Sequence, residues 1–450
     1  MPCVLTNILL PRTGNDMSPG ALAFRDGRIV ARDDACPTGW PTVDGRGLLA
    51  LPGALDPHVH FDDPGYTWRE DFAHGSRSAL AGGVTCVFDM PDTAVPPVTD
   101  CRTLAAKQSV VMGQAYCDAG FWAGVSAQAL SDPAWRQNMD ALWAGGVIGF
   151  KLYVLSGMET FTQLSYRRIK DVLTHAAALG ALVGVHAEDA DTVARARASS
   201  GDCRGTNAYL DSRPVEAEVT AIRRLGELAG ECSARLHIVH LSSGSGAEEI
   251  ARLQRAGVDI SCETCAQYLA FNDEDFGRLG SVLKCAPPVR TNAERALLRE
   301  HLGSTVTMLA SDHAPCPRAE KETGDIFTDY GGMPGVQLLL PYALHLALAE
   351  QLITLEQLVR LTSAAAAERF GVDNRKGGVA PGLDADVVLV DPEENWRVEG
   401  KRLHSKGSLT PFEGHTLRGR VIETWLRGQR AWDGSGFAVP SGLHIKRKGA

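Results

Sequence analysis

The 450-residue sequence lacks the features that would place it at a membrane or on nucleic acid. None of its apolar runs approaches the roughly 20 residues that a membrane-spanning helix needs. Its 45 lysines and arginines are outnumbered by 54 aspartates and glutamates, and they form no basic stripe for nucleic acid or a lipid surface. The first residues carry no basic segment before their short apolar run, unlike a secretory signal peptide. We therefore expect a cytoplasmic protein with neither nucleic acid nor a membrane among its partners.

Repeated cysteine pairs are also missing. The chain has 11 cysteines, an odd number, and they are dispersed. This favours free thiols in a reducing compartment over a disulfide framework. Cys262 and Cys265 form a C-x-x-C spacing with no second pair nearby. We expect these two residues to pack in the core rather than to bind zinc or undergo redox chemistry.

What the sequence does contain is an alternation of short apolar segments with amphipathic helical patterns, such as YRRIKDVLTHAAALG (166–180) and PVEAEVTAIRRLGELAG (214–230). Gly146 and Gly180 each stand before an apolar segment, where a helix should end in a left-handed residue. Eight strands alternating with helices predict an α/β fold, a parallel (β/α)8 barrel of the TIM type. The predicted barrel strands are Ala54–His60, Val84–Met90, Ala115–Trp122, Val147–Tyr153, Leu182–Ala187, Leu236–Leu241, Val258–Cys262 and Val306–Ser311.

The two ends of the chain differ from this middle. Residues 1–50 contain short strands separated by turns, as in LAFRDGRIVARDD. The same style returns from about residue 377, in GGVAPGLDADVVLVDP and GRVIETWLRGQRAW. The simplest assembly is a small β-sandwich-like domain made from residues 1–52 and 377–450, with the barrel of residues 53–376 inserted between its halves.

Two histidines end the first predicted barrel strand. In LPGALDPHVHFDDPG (51–65), His58 and His60 are two residues apart, so they project to the same face of a strand. Their position is the carboxyl end of the barrel, where barrel enzymes keep their reactive groups. Two neutral imidazoles that converge there suit a transition metal, whereas the alternative is a pair of ordinary core histidines.

Further candidate ligands stand at the ends of later strands. His186 ends the fifth predicted strand, His240 ends the sixth, and Asp312 follows the eighth. His237 has the opposite parity to His240, so we expect it to pack in the core. By the same parity argument His313 should face away from Asp312.

Lys151 in GVIGFKLYV lies in an otherwise apolar segment at the end of the fourth predicted strand. Burying a protonated amine alone is costly, so this lysine must be neutral, paired with a carboxylate, or modified. Carbamylation by carbon dioxide would convert it into an anionic group that can bridge two metal ions. Together with the four histidines and Asp312, Lys151 predicts a two-metal centre that holds hydroxide and polarises a carbonyl or phosphoryl oxygen.

With these residues in hand, the chain resembles the amidohydrolase superfamily, in its cyclic-amidase branch of allantoinases, hydantoinases, dihydropyrimidinases and dihydroorotases. The resemblance covers nearly the whole chain. The segments that carry it are PGALDPHVHFDDPG, GGVTCVFDMPDT, GFKLY, SRPVEAEVTAI, HIVHLSS, KCAPPVR, ASDHAPCP and GGVAPGLDADVVLVDP.

The resemblance implies a ligand set and a mechanism. A hydroxide between two metals would attack the ring amide carbonyl, and Asp312 would take its proton and pass it to the leaving ring nitrogen. Zinc is the expected metal, although these ligand types also accept manganese, cobalt or iron. The implied ligands are His58, His60 and Asp312 for the first metal, His186 and His240 for the second, and a carbamylated Lys151 (N6-carboxylysine) that bridges both.

Two positions at which this sequence differs from dihydroorotases indicate the substrate. Dihydroorotases carry an Arg two residues after the second histidine and an Asn in an MPNT segment, and both grip a substrate carboxylate. Those positions are Asp62 and Asp92 here, and an acidic residue repels a carboxylate. The segments GDIFTDYGGMPGVQLLLP and TPFEGHTLRGRVIETWLRG look most like allantoinases. This resemblance implies hydrolysis of neutral allantoin to allantoate, a step of purine metabolism.

Other departures leave dihydroorotase and hydantoinase or dihydropyrimidinase activity open as alternatives. The region VLSGMETFTQLSYRR is less typical of allantoinases, and Ala286 stands where hydantoinases and allantoinases often have Ser. Among substrate contacts, Tyr153 could donate to the oxyanion, and Cys285 with Ala286 could offer backbone groups to the cyclic amide. The alternative for each of these residues is simple packing.

Two further hypotheses concern the role of the whole chain. Some members of this branch have lost metal ligands and act as non-catalytic scaffolds, but no ligand is missing here. A partner-activated homologue that accompanies a transcarbamoylase is a third possibility.

By resemblance we expect a homodimer or homotetramer. Arg69 and His74, which follow the first barrel strand, are expected to be structural.

Overall fold

The computed structural model describes residues 2–199, 201 and 203–450, and eight parallel strands form its central barrel. All eight predicted strands are present, with ends that differ from the prediction by a few residues. The α/β barrel fold is therefore confirmed. The barrel strands 1 to 8 are, in order, Ala54–Val59, Val84–Asp89, Asp118–Phe121 continued by Ala123–Gly124, Phe150–Tyr153, Leu182–His186, Arg235–Ile238, Ile260–Cys265 and Met308–Ala310.

Barrel strand 3 is interrupted at Trp122, whose side chain is fully buried. Residues before it pair with strand 2, and residues after it pair with strand 4. Glycine is required just before strand 4 and within strand 5, because a Cβ on Gly149 or Gly184 would lie 2.6 or 2.7 Å from the Trp122 ring. The barrel closes between strands 8 and 1, where the N–H of His60 donates to the carbonyl oxygen of His313 at 2.8 Å.

Helices follow the strands and cover the barrel. The Asp100 carboxylate accepts the N–H of Thr103 at 2.7 Å and so begins the second helix. Gly146 and Gly180, with φ of +95° and +65°, end the third and fourth helices, as predicted. The α-helices are Phe72–Ala81, Cys101–Val111, Trp135–Gly145, Tyr166–Leu179, Ala190–Ser199, Thr206–Ser212, Val215–Cys232, Gly244–Arg255, Ala266–Ala270, Asp273–Leu279, Asn292–Glu300, Arg318–Lys321, Leu339–Leu348, Leu355–Val359 and Ala365–Arg369.

Seven strands from both ends of the chain form a second sheet. Within it Cys3–Pro11 and Thr42–Pro52 pair in parallel, and all other neighbours are antiparallel. The domain boundaries at residues 52 and 377 stay a prediction. The strands, in their order across the sheet, are Gln429–Trp432, Thr416–Leu426, Val387–Arg397, Thr42–Pro52, Cys3–Pro11, Met17–Arg25 and Arg28–Arg32.

A buried cluster of charges joins this terminal sheet to barrel strand 3. The Nζ of Lys376 lies 2.6 Å from Asp118, 3.0 Å from Asp384 and 2.5 Å from Asp386. Arg427 adds a second cation against Asp118. Asp118 begins barrel strand 3, and Asp386 directly precedes a strand of the terminal sheet. Because the lysine and the three aspartates are buried, the carboxylates depend on the two cations for compensation, and Lys376 depends on the carboxylates.

The 11 cysteines are all free thiols, in agreement with the sequence-based expectation. Cys262 and Cys265 are buried within barrel strand 7, where their side chains pack in the core. Across the described part of the chain, no helix combines the length and the apolar character that crossing a bilayer requires.

Candidate metal centre and active site

Four imidazoles meet at the carboxyl end of the barrel. The ring centroid of His58 lies 5.2 Å from those of both His60 and His240, and the centroids of His186 and His240 are 4.7 Å apart. All four side chains are buried. Side chains two apart on a strand share a face, and parallel strands end on the same side of the barrel. The fold thus brings the four predicted histidines together.

Asp312 faces the first two imidazoles from the loop after barrel strand 8. Its Oδ1 lies 3.3 Å from the Nε2 of His58 and 3.3 Å from the Nε2 of His60. One ligand atom from each of these three residues lies within 4.8 Å of the others. Burial would raise the pKa of Asp312, but the neighbouring histidines, His58 first, hold it well below its usual value. The side chain is therefore a carboxylate at neutral pH.

His186 and His240 form a second pair beside the first. The Nδ1 of His186 is 3.0 Å from the Nε2 of His240. Burial lowers the pKa of both imidazoles, and the neighbouring His186 lowers that of His240 further. These pKa shifts favour neutral rings, which is the form of histidine that binds metal ions.

Lys151 lies beside both pairs with its side chain fully buried. Its Nζ has no hydrogen-bond partner among the described residues and lies 4.8 Å from the ring centroid of Tyr153. The alternative of a lysine in a salt bridge is therefore not what the structure contains. Burial lowers the pKa of Lys151, against the opposing effect of Asp92 and Asp312. A deprotonated amine is the form that can react with carbon dioxide.

The donor set fits divalent cations. Imidazole nitrogens and carboxylate oxygens are the ligands that zinc and related ions accept. Two buried atoms at this point, the Nε2 of His58 and the Nζ of Lys151, lack a hydrogen-bond partner within the described chain. Because buried polar atoms are normally paired, a bound group here would satisfy them.

A cavity of about 520 Å³ opens above the imidazoles. Three of the five predicted substrate residues, Asp92, Tyr153 and Ala286, line it. The hydroxyl of Tyr153 donates to the Oδ2 of Asp92 at 2.9 Å. Burial raises the pKa of Tyr153 well above its usual value, and Asp92 raises it further, so this hydroxyl keeps its proton.

Asp62 and Cys285, the other two predicted substrate residues, do not line this cavity. Asp62 is buried, and burial raises its pKa to about 7 against the opposing effect of nearby His60. The backbone oxygen of Cys285 accepts a hydrogen bond from the hydroxyl of Tyr209 at 2.9 Å. The Cys285 carbonyl is thus already engaged.

Three other residues from the sequence analysis lie outside the cluster. His313 faces away from the imidazoles, as parity predicted, with its Nε2 3.1 Å from Glu70. Arg69 pairs with Glu320 at 2.7 Å. His74 lies 2.8 Å from Asp71 at the start of the first helix. These contacts agree with structural roles.

The amidohydrolase family profile matches residues 49–431, most of the length of the chain. The chain belongs to the amidohydrolase family. It is 38% identical over 449 residues to an allantoinase of Solibacter usitatus (strain Ellin6076), covering 99% of this chain and 96% of that protein. It is 40% identical over 409 residues to an allantoinase of Rubrobacter xylanophilus, covering 90% and 88%. The solved L-hydantoinase (dihydropyrimidinase) from Arthrobacter aurescens matches with a TM-score of 0.93 and 27% identity over 99% of both chains.

Two buried glutamates of this amidohydrolase, which the sequence reasoning missed, hold its imidazoles. Glu263 in barrel strand 7 lies 2.6 Å from the Nδ1 of His58 and 3.1 Å from the Nε2 of His237. Burial opposes ionisation, but these two histidines lower the pKa of Glu263 to about 2. An acidic residue inside a buried strand is the same signal that singled out Lys151, and it could have identified Glu263.

The second glutamate, Glu188, supports His186. Its Oε2 lies 2.8 Å from the Nε2 of His186. The guanidinium of Arg213 binds both carboxylate oxygens, at 2.9 and 2.5 Å, so the charge of Glu188 is compensated. A partner that fixes the far nitrogen of a histidine orients the ring and sets which nitrogen is free to bind a metal.

Proposed function

We propose that this amidohydrolase opens the ring of allantoin by hydrolysing a cyclic amide C–N bond, giving allantoate. The observation that carries the proposal is the likeness to allantoinases over nearly the full length of the chain. The clustering of His58, His60, His186 and His240 with Asp312 supports it, because every ligand type needed for a metal-assisted hydrolysis is present.

The proposed cofactor is a pair of divalent cations, with zinc as the first choice and manganese, cobalt or iron as alternatives. When bound, such ions lower the pKa of a water molecule and draw electron density from a carbonyl oxygen. We further propose that carbon dioxide modifies the buried amine of Lys151 to a carbamate. The residues that would hold the ions are His58, His60 and Asp312 on one side, His186 and His240 on the other, and the carbamylated Lys151 between them.

Asp312 is the proposed acid–base residue. Its lowered pKa keeps the carboxylate ionised, so it can accept the proton of the attacking water. It would then deliver that proton to the ring nitrogen. This second transfer is necessary because an unprotonated amide nitrogen is a very poor leaving group.

Tyr153 and Asp92 are the proposed substrate contacts nearest the reaction. The Tyr153 hydroxyl, kept protonated by its raised pKa, can turn from Asp92 to donate to the oxygen of the attacked carbonyl. The carboxylate of Asp92 faces the same cavity, and a negatively charged ring would be repelled by it. The position of Asp92 therefore favours a neutral cyclic amide.

Ring opening of four substrates by metal-replete protein tests the proposal. Allantoin, hydantoin, dihydrouracil and dihydroorotate are the panel, and we expect allantoin to be opened with the highest kcat/KM. Asp312→Asn keeps the shape of the side chain and removes its basicity, so kcat should fall by about 100-fold or more. No ring opening of any substrate by the metal-replete protein would refute the assignment.

Hydantoinase or dihydropyrimidinase activity is the second candidate. It is favoured by the likeness to solved hydantoinase structures, at 27% identity for the enzyme from Arthrobacter aurescens. The same panel decides between the two, because faster opening of hydantoin or dihydrouracil than of allantoin would favour this alternative.

We extend the proposal to a cytoplasmic homodimer or homotetramer, on the basis of the resemblance to the cyclic-amidase branch. Light scattering on the purified protein measures its mass in solution. A monomer at micromolar concentration would contradict this part of the proposal.

A further inference from the structure

Two cations line the cavity without an ion-pair partner among the described residues. They are Arg197, from the helix Ala190–Ser199, and Lys284, from the segment before Ala286. Among the described residues, Arg197 leaves its Nη1 without a partner, and the Nζ of Lys284 contacts backbone carbonyls rather than a carboxylate. Arg213, which lines the same cavity, differs from them because Glu188 neutralises it. The proposed mechanism uses neither Arg197 nor Lys284.

Arg197 offers a donor that nothing in the described chain accepts. Its Cζ stacks 3.5 Å from the ring centroid of Phe327, which fixes the plane of the guanidinium. The Nη1 is buried and has no hydrogen-bond partner among the described residues. A buried donor without an acceptor is costly. A ligand oxygen in the cavity would remove that cost.

Lys284 lies beside Phe327 and a second aromatic ring, that of Tyr209. Its Nζ donates to the carbonyl oxygens of Phe327, at 3.3 Å, and of Asp329. It lies 5.0 Å from the ring centroid of Tyr209, and Tyr209 packs 5.8 Å from Phe327. An ammonium has three donors, so one remains after these two bonds. Arg197 and Lys284 therefore flank one aromatic wall, each with a spare N–H group.

We propose that Arg197, assisted by Lys284, binds an oxygen acceptor on the substituent that the substrate ring carries. In allantoin that acceptor is the carbonyl oxygen of the ureido group, so this inference rests on the proposed function. The ring amide must reach Asp312 and the imidazoles, so its substituent faces other residues of the same cavity, among them Arg197 and Lys284. The fixed fork of a guanidinium matches a planar urea carbonyl.

A comparison of two rings tests this assignment, because hydantoin is the allantoin ring without the ureido group. Arg197→Met keeps a long side chain on Phe327 and removes every donor. We expect kcat/KM for allantoin to fall by about tenfold or more, mainly through KM, since the contact is made equally before and during reaction. For hydantoin, kcat/KM should be unchanged. If hydantoin binds without being opened, we measure its inhibition constant against allantoin instead of kcat/KM. This constant should be the same for the wild-type protein and Arg197→Met.

Two variants control the experiment. Arg195→Met alters the same helix, but Arg195 donates to Thr192 at 3.0 Å and does not line the cavity, so neither substrate should be affected. Arg197→Lys retains a cationic donor and should restore part of the loss on allantoin. A fall of equal size for both rings, or no fall for allantoin, would overturn the proposal.

Binding separates this inference from the proposed function. The dissociation constant of allantoin for the Asp312→Asn protein, with and without Arg197→Met, is measured by calorimetry and needs no catalysis. We expect weaker binding by about tenfold or more in the double variant. Unchanged binding would refute the subsite, whereas binding without ring opening by the wild-type protein would refute only the activity.

Discussion

Glu263→Gln removes one buried charge with almost no change of shape. As an anion, Glu263 accepts from His58 and His237 through its two oxygens, at 2.6 and 3.1 Å. A glutamine has one accepting oxygen and one donating amide nitrogen. One of the two imidazoles must therefore change its tautomer or turn its ring. If His58 does so, its Nε2 no longer presents a lone pair to the proposed metal.

The size of the effect follows from this geometry. Partners that orient a metal-binding histidine are typically worth 10- to 100-fold in metal affinity. We expect about 100-fold for Glu263→Gln, equivalent to about 2.7 kcal/mol at 25 °C. The upper end applies because Glu263 is fully buried, so water cannot replace its short contact with His58.

Competition with a chelator measures the affinity of the holoenzyme for its ions. Glu249→Gln is the matched control, because Glu249 pairs with Arg252 of its own helix and Arg223 of the preceding helix and contacts no imidazole. It should leave metal affinity unchanged. If Glu263→Gln also bound metal as tightly as the wild-type protein, the role assigned to Glu263 would be refuted.

Three further predictions concern other parts of the molecule. Lys376→Met leaves Asp118 and its neighbours undercompensated and should lower the free energy of unfolding by about 3–5 kcal/mol in urea titrations. Lys448→Met removes the exposed ion pair between Lys448 and Asp373 and should cost less than about 1 kcal/mol. Burial lowers the pKa of His444 to about 4, so the unfolded chain takes up the proton first as pH falls. Stability should therefore drop by about 2 kcal/mol between pH 7 and pH 5 through this group, and His444→Gln should flatten that slope. Tyr153→Phe should lower kcat on allantoin by about 100-fold with a smaller change in KM. Equal losses in the two lysine variants, an unchanged slope, or an unchanged kcat would contradict the respective prediction.

The barrel and its histidines could be predicted because their signals are local and periodic. His58 and His60 sit two apart on an apolar strand, and the parallel order of strands brings His186 and His240 to the same end. The predicted ends of the strands were less accurate than their number and order. Strand 3 breaks where Trp122 fills the barrel interior, which is a packing effect that no local pattern contains.

Interactions between distant residues left no comparable signal. Lys376 and Asp118 are 258 positions apart in sequence, and neither stands in a recognisable motif with the other. Glu188 follows His186 closely, but its partner Arg213 lies 25 residues further on, in the link between the helices Thr206–Ser212 and Val215–Cys232. Of the predicted substrate residues, Cys285 does not line the cavity, whereas Arg197, which the sequence did not single out, does. Which loop side chains reach a cavity depends on how the loops pack together.

The central claim is that the four imidazoles, Asp312 and a carbamylated Lys151 hold two divalent cations. A crystal of metal-replete protein, with anomalous scattering measured at the absorption edge of the bound metal, tests this most directly. The predicted result is two anomalous peaks between His58 and His240, with added density on the Nζ of Lys151. A bare amine on Lys151 and no peak among the imidazoles would contradict it.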